Sequence, residues 1–319
     1  MDMDGILIID KPDGITSYQV VNTVKRVTRV EKAGHGGTLD PLATGVLAVF
    51  LNRATRLVPF LMNDTKRYRA TMRLGIETDT QDREGRIIAE SASFPVDPLE
   101  ITRAVHSLSG VIAQVPPMYS ALKHRGTPLY KLARRGICLD RPARSVHIYR
   151  MQVLAVQPPL VTFEVDCSPG TYIRTLCADI GHQLGCGAHL VSLTRLSCGS
   201  FGLDDAVSFQ DVPSLGERDV LKRRVVSLCT SLGHLPMVTV TGPVMDLLRV
   251  RKTLAASQLK GVHTPAPEKA GLFQAACDGE SERALVQSLV SPDRMATPSD
   301  SGAAWKRVCF YNPQENTIH

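Results

Sequence analysis

The apolar run Val46-Leu47-Ala48-Val49-Phe50-Leu51, directly behind the stretch Gly34-His35-Gly36-Gly37-Thr38-Leu39-Asp40-Pro41, constrains this chain most. A short uninterrupted apolar run bounded by turn residues reads as a buried strand. It leaves one carboxylate, Asp40, between a glycine-rich loop and the core. The residue before a proline is pushed out of the helical region into extended backbone. Glycines at 34, 36 and 37 permit positive φ and leave room for another backbone or a ligand. The same Asp-Pro pair is also an ordinary helix start, with Asp40 as N-cap and Pro41 at the first helical position. From these residues alone both readings stand.

The 319 residues suffice for one large domain, or a large domain with a small one, and 43% hydrophobic residues can form a sizeable core. Lys and Arg total 37 against 31 Asp and Glu, a mild basic excess that is compatible with nucleic acid. The eight cysteines, at 138, 167, 177, 186, 198, 229, 277 and 309, make neither a C-x-x-C pair nor a zinc-ribbon spacing. No metal is therefore expected, and scattered thiols of this kind fit a reducing compartment. The start of the chain is acidic, and no apolar run approaches the ~20 residues of a membrane span. The expectation is a cytoplasmic protein with no membrane partner.

Along the chain, Gly5 to Lys11 reads as a buried strand that leaves through the turn Pro12-Asp13-Gly14. Thr16 or Ser17 then caps a helix with Val20, Val21, Val24 and Val27 at helical spacing. A helix-like segment spans Leu57 to Met62, and Asp64 to Gly75 alternates as a strand with cations on one side. The acidic residues Glu77, Asp79, Asp82 and Glu84 miss the spacing of a calcium loop and read as a polar hairpin connection. Residues 98–109 read as helix, 114–128 as a proline-bounded loop and 129–136 as a short helix stopped by glycine.

Lys123, Arg125, Lys131, Arg134, Arg141, Arg144 and Arg150 interleave with Tyr119, Tyr130 and Tyr149. Such a cluster suits a phosphate backbone with stacking platforms, and suits a solvated surface helix equally well. Val161 to Cys167 alternates as a strand, and the junction after it places Tyr172 and Arg174 at a strand end. Beyond about residue 205 a helical connector (211–236) precedes β-like runs at Met237 to Thr241, Gly271 to Cys277 and Trp305 to Tyr311.

Four ordered segments together resemble the bacterial tRNA pseudouridine synthase B family: Ile9-Asp10-Lys11-Pro12, Gly34 to Leu47, Lys66 to Ala70, and the pair Val115 to Leu122 with Cys167 to Leu176. The match runs over roughly residues 5–205. The resemblance implies an α+β fold. Residues 1–232 would form a catalytic domain with a mixed, largely antiparallel sheet flanked by helices, carrying an RNA-gripping insertion at about 118–146. Residues 237–319 would form a small β-rich PUA-like domain. It implies isomerisation of uridine-55 in the T-loop of tRNA, with Asp40 as catalytic aspartate and no cofactor. Tyr68 would stack on the uracil, and Arg174 would pair with Asp40 and lower its pKa. His35, Tyr172 and Leu193 would line the pocket, and Lys11, Lys123, Arg125, Lys131 and Arg134 would contact RNA. The partner would be the T-arm stem-loop, bound by a monomer. An RNA-binding or RNA-folding chaperone whose catalysis is secondary or absent is the competing reading, drawn from the cation and tyrosine cluster. A related synthase acting on another RNA is a third.

Overall fold

A computed structural model describes residues 3–61, 65–94, 97–232, 235–251, 253–255, 258, 272–276, 283–288, 303–312 and 317–318. Met62, Asp64, Gly271 and Cys277, which bounded expected elements, lie outside the described residues.

The first strand, β1 (Gly5–Lys11), is followed by α1 (Ser17–Thr28), a short β2 (Ala33–His35) and the apolar run as β3 (Ala43–Leu51). Thr16 closes a capping box on α1: its hydroxyl accepts from Gln19 N, while Thr16 N donates to Gln19 Oε1 at 2.8 Å. The helix buries Val20, Val21 and Val24, the face its spacing specifies. The strand β3 pairs antiparallel with β1 from Gly5↔Leu51 to Lys11↔Gly45. It is buried on both faces, with Leu47, Val49 and Leu51 in one apolar cluster and Val46, Ala48 and Phe50 in another. Two-sided burial is why its sequence does not alternate. Asp40-Pro41 does not start a helix: Ala43 N donates to Asp40 O at 3.0 Å, a turn that feeds directly into β3.

After α2 (Val58–Leu61) comes β4 (Lys66–Leu74), whose alternation puts Tyr68, Ala70, Met72 and Leu74 inside and Arg67, Arg69 and Arg73 outside. A side hairpin of β5 (Ile76–Thr78) and β6 (Ile87–Glu90) precedes α3 (Pro98–Ser107) and the edge strand β7 (Gly110–Gln114). The proline-bounded loop holds a two-stranded hairpin, β8 (Lys123–His124) and β9 (Thr127–Pro128), and then α4 (Leu129–Ala133). The strands β10 (Arg144–Gln157) and β11 (Leu160–Cys167), the helix α5 (Ile173–Gln183), and β12 (Ala188–Cys198), β13 (Phe201–Gly202) and β14 (Val207–Ser208) complete the main unit. The sheet order is β14-β1-β3-β12-β4-β11-β10-β7, with β2 on β3 and β13 on β12. Only β1 with β14 and β3 with β12 pair in parallel, so the sheet is mixed and largely antiparallel. Arg144, Tyr149 and Arg150 lie on the long strand β10 and not in the cationic loop. The helices α3 and α5 cover one face of the sheet; Ile101, Val105, Leu176 and Ile180 enter the same cluster as Leu7, Leu47 and Met72.

The helices α6 (Arg218–Arg224) and α7 (Leu228–Leu232) lead to the smaller β-rich unit. It contains β15 (Met237–Thr239), α8 (Gly242–Val250), β16 (Thr253–Ala255), β17 (Leu272–Ala276), β18 (Arg283–Ser288), β19 (Ala303–Asn312) and β20 (Thr317–Ile318). The unit has its own apolar cluster around Val238, Val244, Met245 and Leu248. Its helix α8 was not anticipated. Leu285 of β18 belongs to the same apolar cluster as Ile6, Ile8 and Phe50, which α2 and α7 also enter through Leu61 and Leu232. Among the described residues no helix is long and apolar enough to cross a membrane.

Candidate active site

The loop that carries Asp40 is tied down on every side. Ser17 Oγ donates to Leu39 O at 2.9 Å and accepts from Leu39 N at 2.8 Å, which anchors the loop to the start of α1. Gly14 N donates to Pro41 O, and Gly36 N to Ala48 O. Lys11 adds three bonds: its Nζ donates to Pro12 O at 2.8 Å, Pro41 O at 3.0 Å and Ala43 O at 2.6 Å. The side chain is fully buried, and burial pushes its pKa down to about 8 against the opposing pull of Asp13, Asp40 and Glu84. An RNA contact by Lys11 is thereby corrected. All three ammonium donors face carbonyls inside the protein, and the residue holds the Asp40 loop instead.

Asp40 meets Arg174, the second residue of α5. Nε of Arg174 lies 2.9 Å from Asp40 Oδ2, and Nη2 donates to Asp40 Oδ1 at 3.4 Å, a forked contact. The guanidinium is itself immobilised: Nη2 donates to Tyr119 O at 2.7 Å, Nη1 donates to Thr80 O at 2.9 Å, and Nη1 lies 3.4 Å from Asp82 Oδ2. Arg174 thus sits at a helix start and not at the end of a strand. Asp82, read from sequence as part of a polar connection, is 4% exposed and shares this cation with Asp40. Its Oδ1 accepts from Thr80 Oγ1 at 2.6 Å and Glu84 N at 3.1 Å. Regular spacing of acids did not distinguish Asp82 from its solvated neighbours.

Burial pushes the Asp40 carboxyl above its ordinary range; Arg174 and Lys11 pull it back, and the nearby charge of Asp82 pushes it further up. Arg174 lowers the Asp40 pKa as expected, but it does not set the net direction. Desolvation in the cleft outweighs the ion pair.

Asp40 and Arg174 open on a pocket of about 260 Å³ lined also by Gly37, Lys66, Tyr68, Tyr172, Leu193 and Arg195. Tyr68 is 7% exposed, and burial raises its phenol pKa to about 12, with Arg195 opposing, so the hydroxyl is neutral at physiological pH. The segment bearing Tyr68 is clamped from the other sheet face. Both Nε and Nη2 of Arg67 donate to Glu164 Oε2, and both of Arg69 donate to Glu164 Oε1. Tyr172 is fixed by a reciprocal pair: its N donates to Gln114 Oε1 at 2.7 Å and its O accepts from Gln114 Nε2 at 3.1 Å. Leu193, paired with Ala43 and Ala70, forms part of the wall. Arg195 was missed by sequence reasoning, although a residue two positions after Leu193 on one strand shares its face.

His35 lines a second cavity of about 560 Å³ and not the base-sized pocket. The two cavities share Thr38, Leu39, Asp40, Ser120, Ala121 and Arg174, so the Asp40–Arg174 pair stands in the wall between them. Burial, followed by Arg195, lowers the His35 pKa, and its Nδ1 is buried with no hydrogen-bond partner among the described residues. Tyr119, Tyr130 and Arg134 line the outer side of this cavity, with the Arg134 guanidinium 5.6 Å from the Tyr130 ring centre. Lys123, Arg125, Lys131 and Arg134 are exposed. Arg125 and Gly126 both take positive φ, 47° and 82°, the backbone that a two-residue hairpin turn requires, and this sets Arg125 at the tip. Among the described residues no group of His, Cys, Asp and Glu is arranged to hold a metal.

A carboxylate gripped by a buried arginine in a small pocket, with a cationic hairpin and tyrosines beside it, is an arrangement suited to an enzyme that acts on a nucleic acid. The family model described as TruB family pseudouridylate synthase (N terminal domain) matches residues 25–173, and that of the tRNA pseudouridylate synthase B C-terminal domain matches 174–232. The tRNA pseudouridine synthase B of Syntrophus aciditrophicus is 44% identical over 306 residues, 96% of this chain and 97% of that protein. That of Syntrophotalea carbinolica is 48% identical over 238 residues, 75% of this chain and 78% of that protein. A solved structure, the crystal structure of a Cbf5-Nop10-Gar1 complex, superposes with a TM-score of 0.71 at 28% identity, covering 95% of this chain and 84% of the other. The chain belongs to the tRNA pseudouridine synthase B family and is a tRNA pseudouridine synthase.

Proposed function

We propose that the chain converts uridine-55 in the T-loop of tRNA to pseudouridine, with Asp40 as the nucleophile acting on a base flipped out of the loop. The observation that carries this reading is the forked Asp40–Arg174 contact in a pocket of about 260 Å³, at the small end of ligand sites and suited to one base. Arg174 orients the carboxylate, and desolvation makes the ionised form more reactive. Tyr68 stacks on the uracil with its phenol neutral, and Tyr172 and Leu193 close the wall. His35 contacts the RNA from the adjoining cavity. The exposed Lys123, Arg125, Lys131 and Arg134 grip the T-arm backbone.

Residues 1–232 form the catalytic unit, with the gripping insertion at about 118–146, and residues 237–319 form a PUA-like RNA-binding unit. The separate apolar cluster around Val244 and Leu248 supports that division. The chain acts as a monomer, and the buried thiols Cys167, Cys177, Cys186 and Cys198, none in a disulfide, suit the reducing cytoplasm.

The experiment is Asp40→Asn, assayed by tritium release from a T-arm stem-loop labelled at uridine C5. Release is expected to vanish while stem-loop binding persists. Turnover at the wild-type rate would sink the assignment of Asp40.

A further inference from the structure

Besides Arg174 and Lys66, the pocket contains a third buried cation that the Asp40–Arg174 arrangement leaves unused. Arg195 is 1% exposed on β12. Its Nε donates to Val46 O at 2.6 Å and its Nη2 to Gly37 O at 3.1 Å. Among the described residues it makes no ion pair with an Asp or Glu. Arg174, in the same pocket, faces two carboxylates. A buried charge without a counter-charge is costly, and a fold keeps one where a negative charge arrives. The guanidinium also acts on the Tyr68 phenol, which lines the pocket beside it. Gly37 leaves the approach open: a Cβ built there stands 3.5 Å from Arg195 Nη1 and 3.7 Å from Lys66 Cε.

The reaction makes such a charge. Whichever atom Asp40 attacks, the C1′–N1 bond must break, and its electron pair goes to the base, spread over N1, O2 and O4. C5 then bonds to C1′ and loses its proton, and N1 gains one, so the isomer forms without a redox partner or hydrolysis. We propose that Arg195 is a further catalytic residue, stabilising the negative charge on the departing uracil. This rests on the reading of the pocket as the site of the flipped base. Anchored by two carbonyls before substrate arrives, the guanidinium needs no reorganisation as the charge develops.

The test compares T-arm stem-loops carrying uridine or 5-fluorouridine at the target position, since fluorine makes the base a better leaving group. Single-turnover loss of the original nucleoside, stem-loop affinity and thermal unfolding are measured for wild type, Arg195→Met and Arg195→Lys. The Met variant is expected to lose about 10²-fold in rate on uridine and less than about 10-fold on 5-fluorouridine, with affinity near wild type. The Lys variant is expected to fall between. Equal losses on both substrates, or a loss confined to affinity that marks a phosphate contact, overturn the proposal. If Arg195→Met melts out, Arg195→Lys keeps the charge without spanning both carbonyls, and the same ratio of losses decides. Wild-type enzyme that turns over neither stem-loop overturns the base-pocket reading and this inference with it, and that control separates the two failures.

Discussion

Replacing Asp82 with Asn separates the two roles of a carboxylate that never faces the bulk solvent. Asparagine keeps the acceptor that receives Thr80 Oγ1 and Glu84 N, so the local turn survives. What disappears is the charge opposite Arg174 Nη1 at 3.4 Å, a long charge-assisted contact worth about 1.5 kcal/mol. Loosened on that side, Arg174 holds Asp40 less well, and kcat is expected to fall about 10-fold, the rate equivalent of that energy. The pH dependence moves the other way. As the proposed nucleophile, Asp40 would act in its ionised form; burial raises its pKa, Arg174 and Lys11 lower it, and Asp82 is a like charge that raises it. Removing Asp82 therefore lowers the Asp40 pKa, and the acid limb of kcat/KM shifts to lower pH. Tritium release across an acidic pH series reads both effects. An acid limb that stays in place or moves up as kcat falls would refute the electrostatic coupling of the two carboxylates.

Other substitutions probe the scaffold. Lys11→Met removes the ammonium donor from the carbonyls of Pro12, Pro41 and Ala43, with Pro41 O keeping Gly14 N, and is expected to cost about 2–4 kcal/mol in thermal unfolding while RNA affinity stays unchanged. A drop in affinity without a drop in melting temperature would restore Lys11 as an RNA contact. Gly45→Ala places a Cβ 2.3 Å from Arg195 O at a φ of +96°, and because both atoms in conflict belong to central strands, a loss of about 3 kcal/mol or more is expected on calorimetry. Neutralising Arg125, Lys131 and Arg134 together is expected to weaken T-arm binding and to reduce the slope of log affinity against log salt by about one for each phosphate that no longer meets a cation, with single-turnover rates at saturation preserved.

Much of this protein was legible in one dimension. The six apolar residues of β3 announced a buried strand, and the cap at Thr16 or Ser17 and the alternation of β4 predicted their elements because both are set by neighbouring residues. The order of four motifs pointed to Asp40, Tyr68 and Arg174, and the fold brings these three to one pocket. What only the tertiary structure decided concerns charge. Lys11 looks like a cation ready for phosphate until three carbonyls, two of them about 30 residues away, claim its protons. Asp82 looks like any solvated acid until α5 delivers Arg174 to it from 92 positions along the chain. Arg195 looks like a surface residue until β12 is enclosed between β3 and β4. Apolar patterning and capping are local and survive as sequence signals. The protonation and partnership of a buried charge depend on desolvation and on groups distant in sequence, so they exist only once the chain has closed around them.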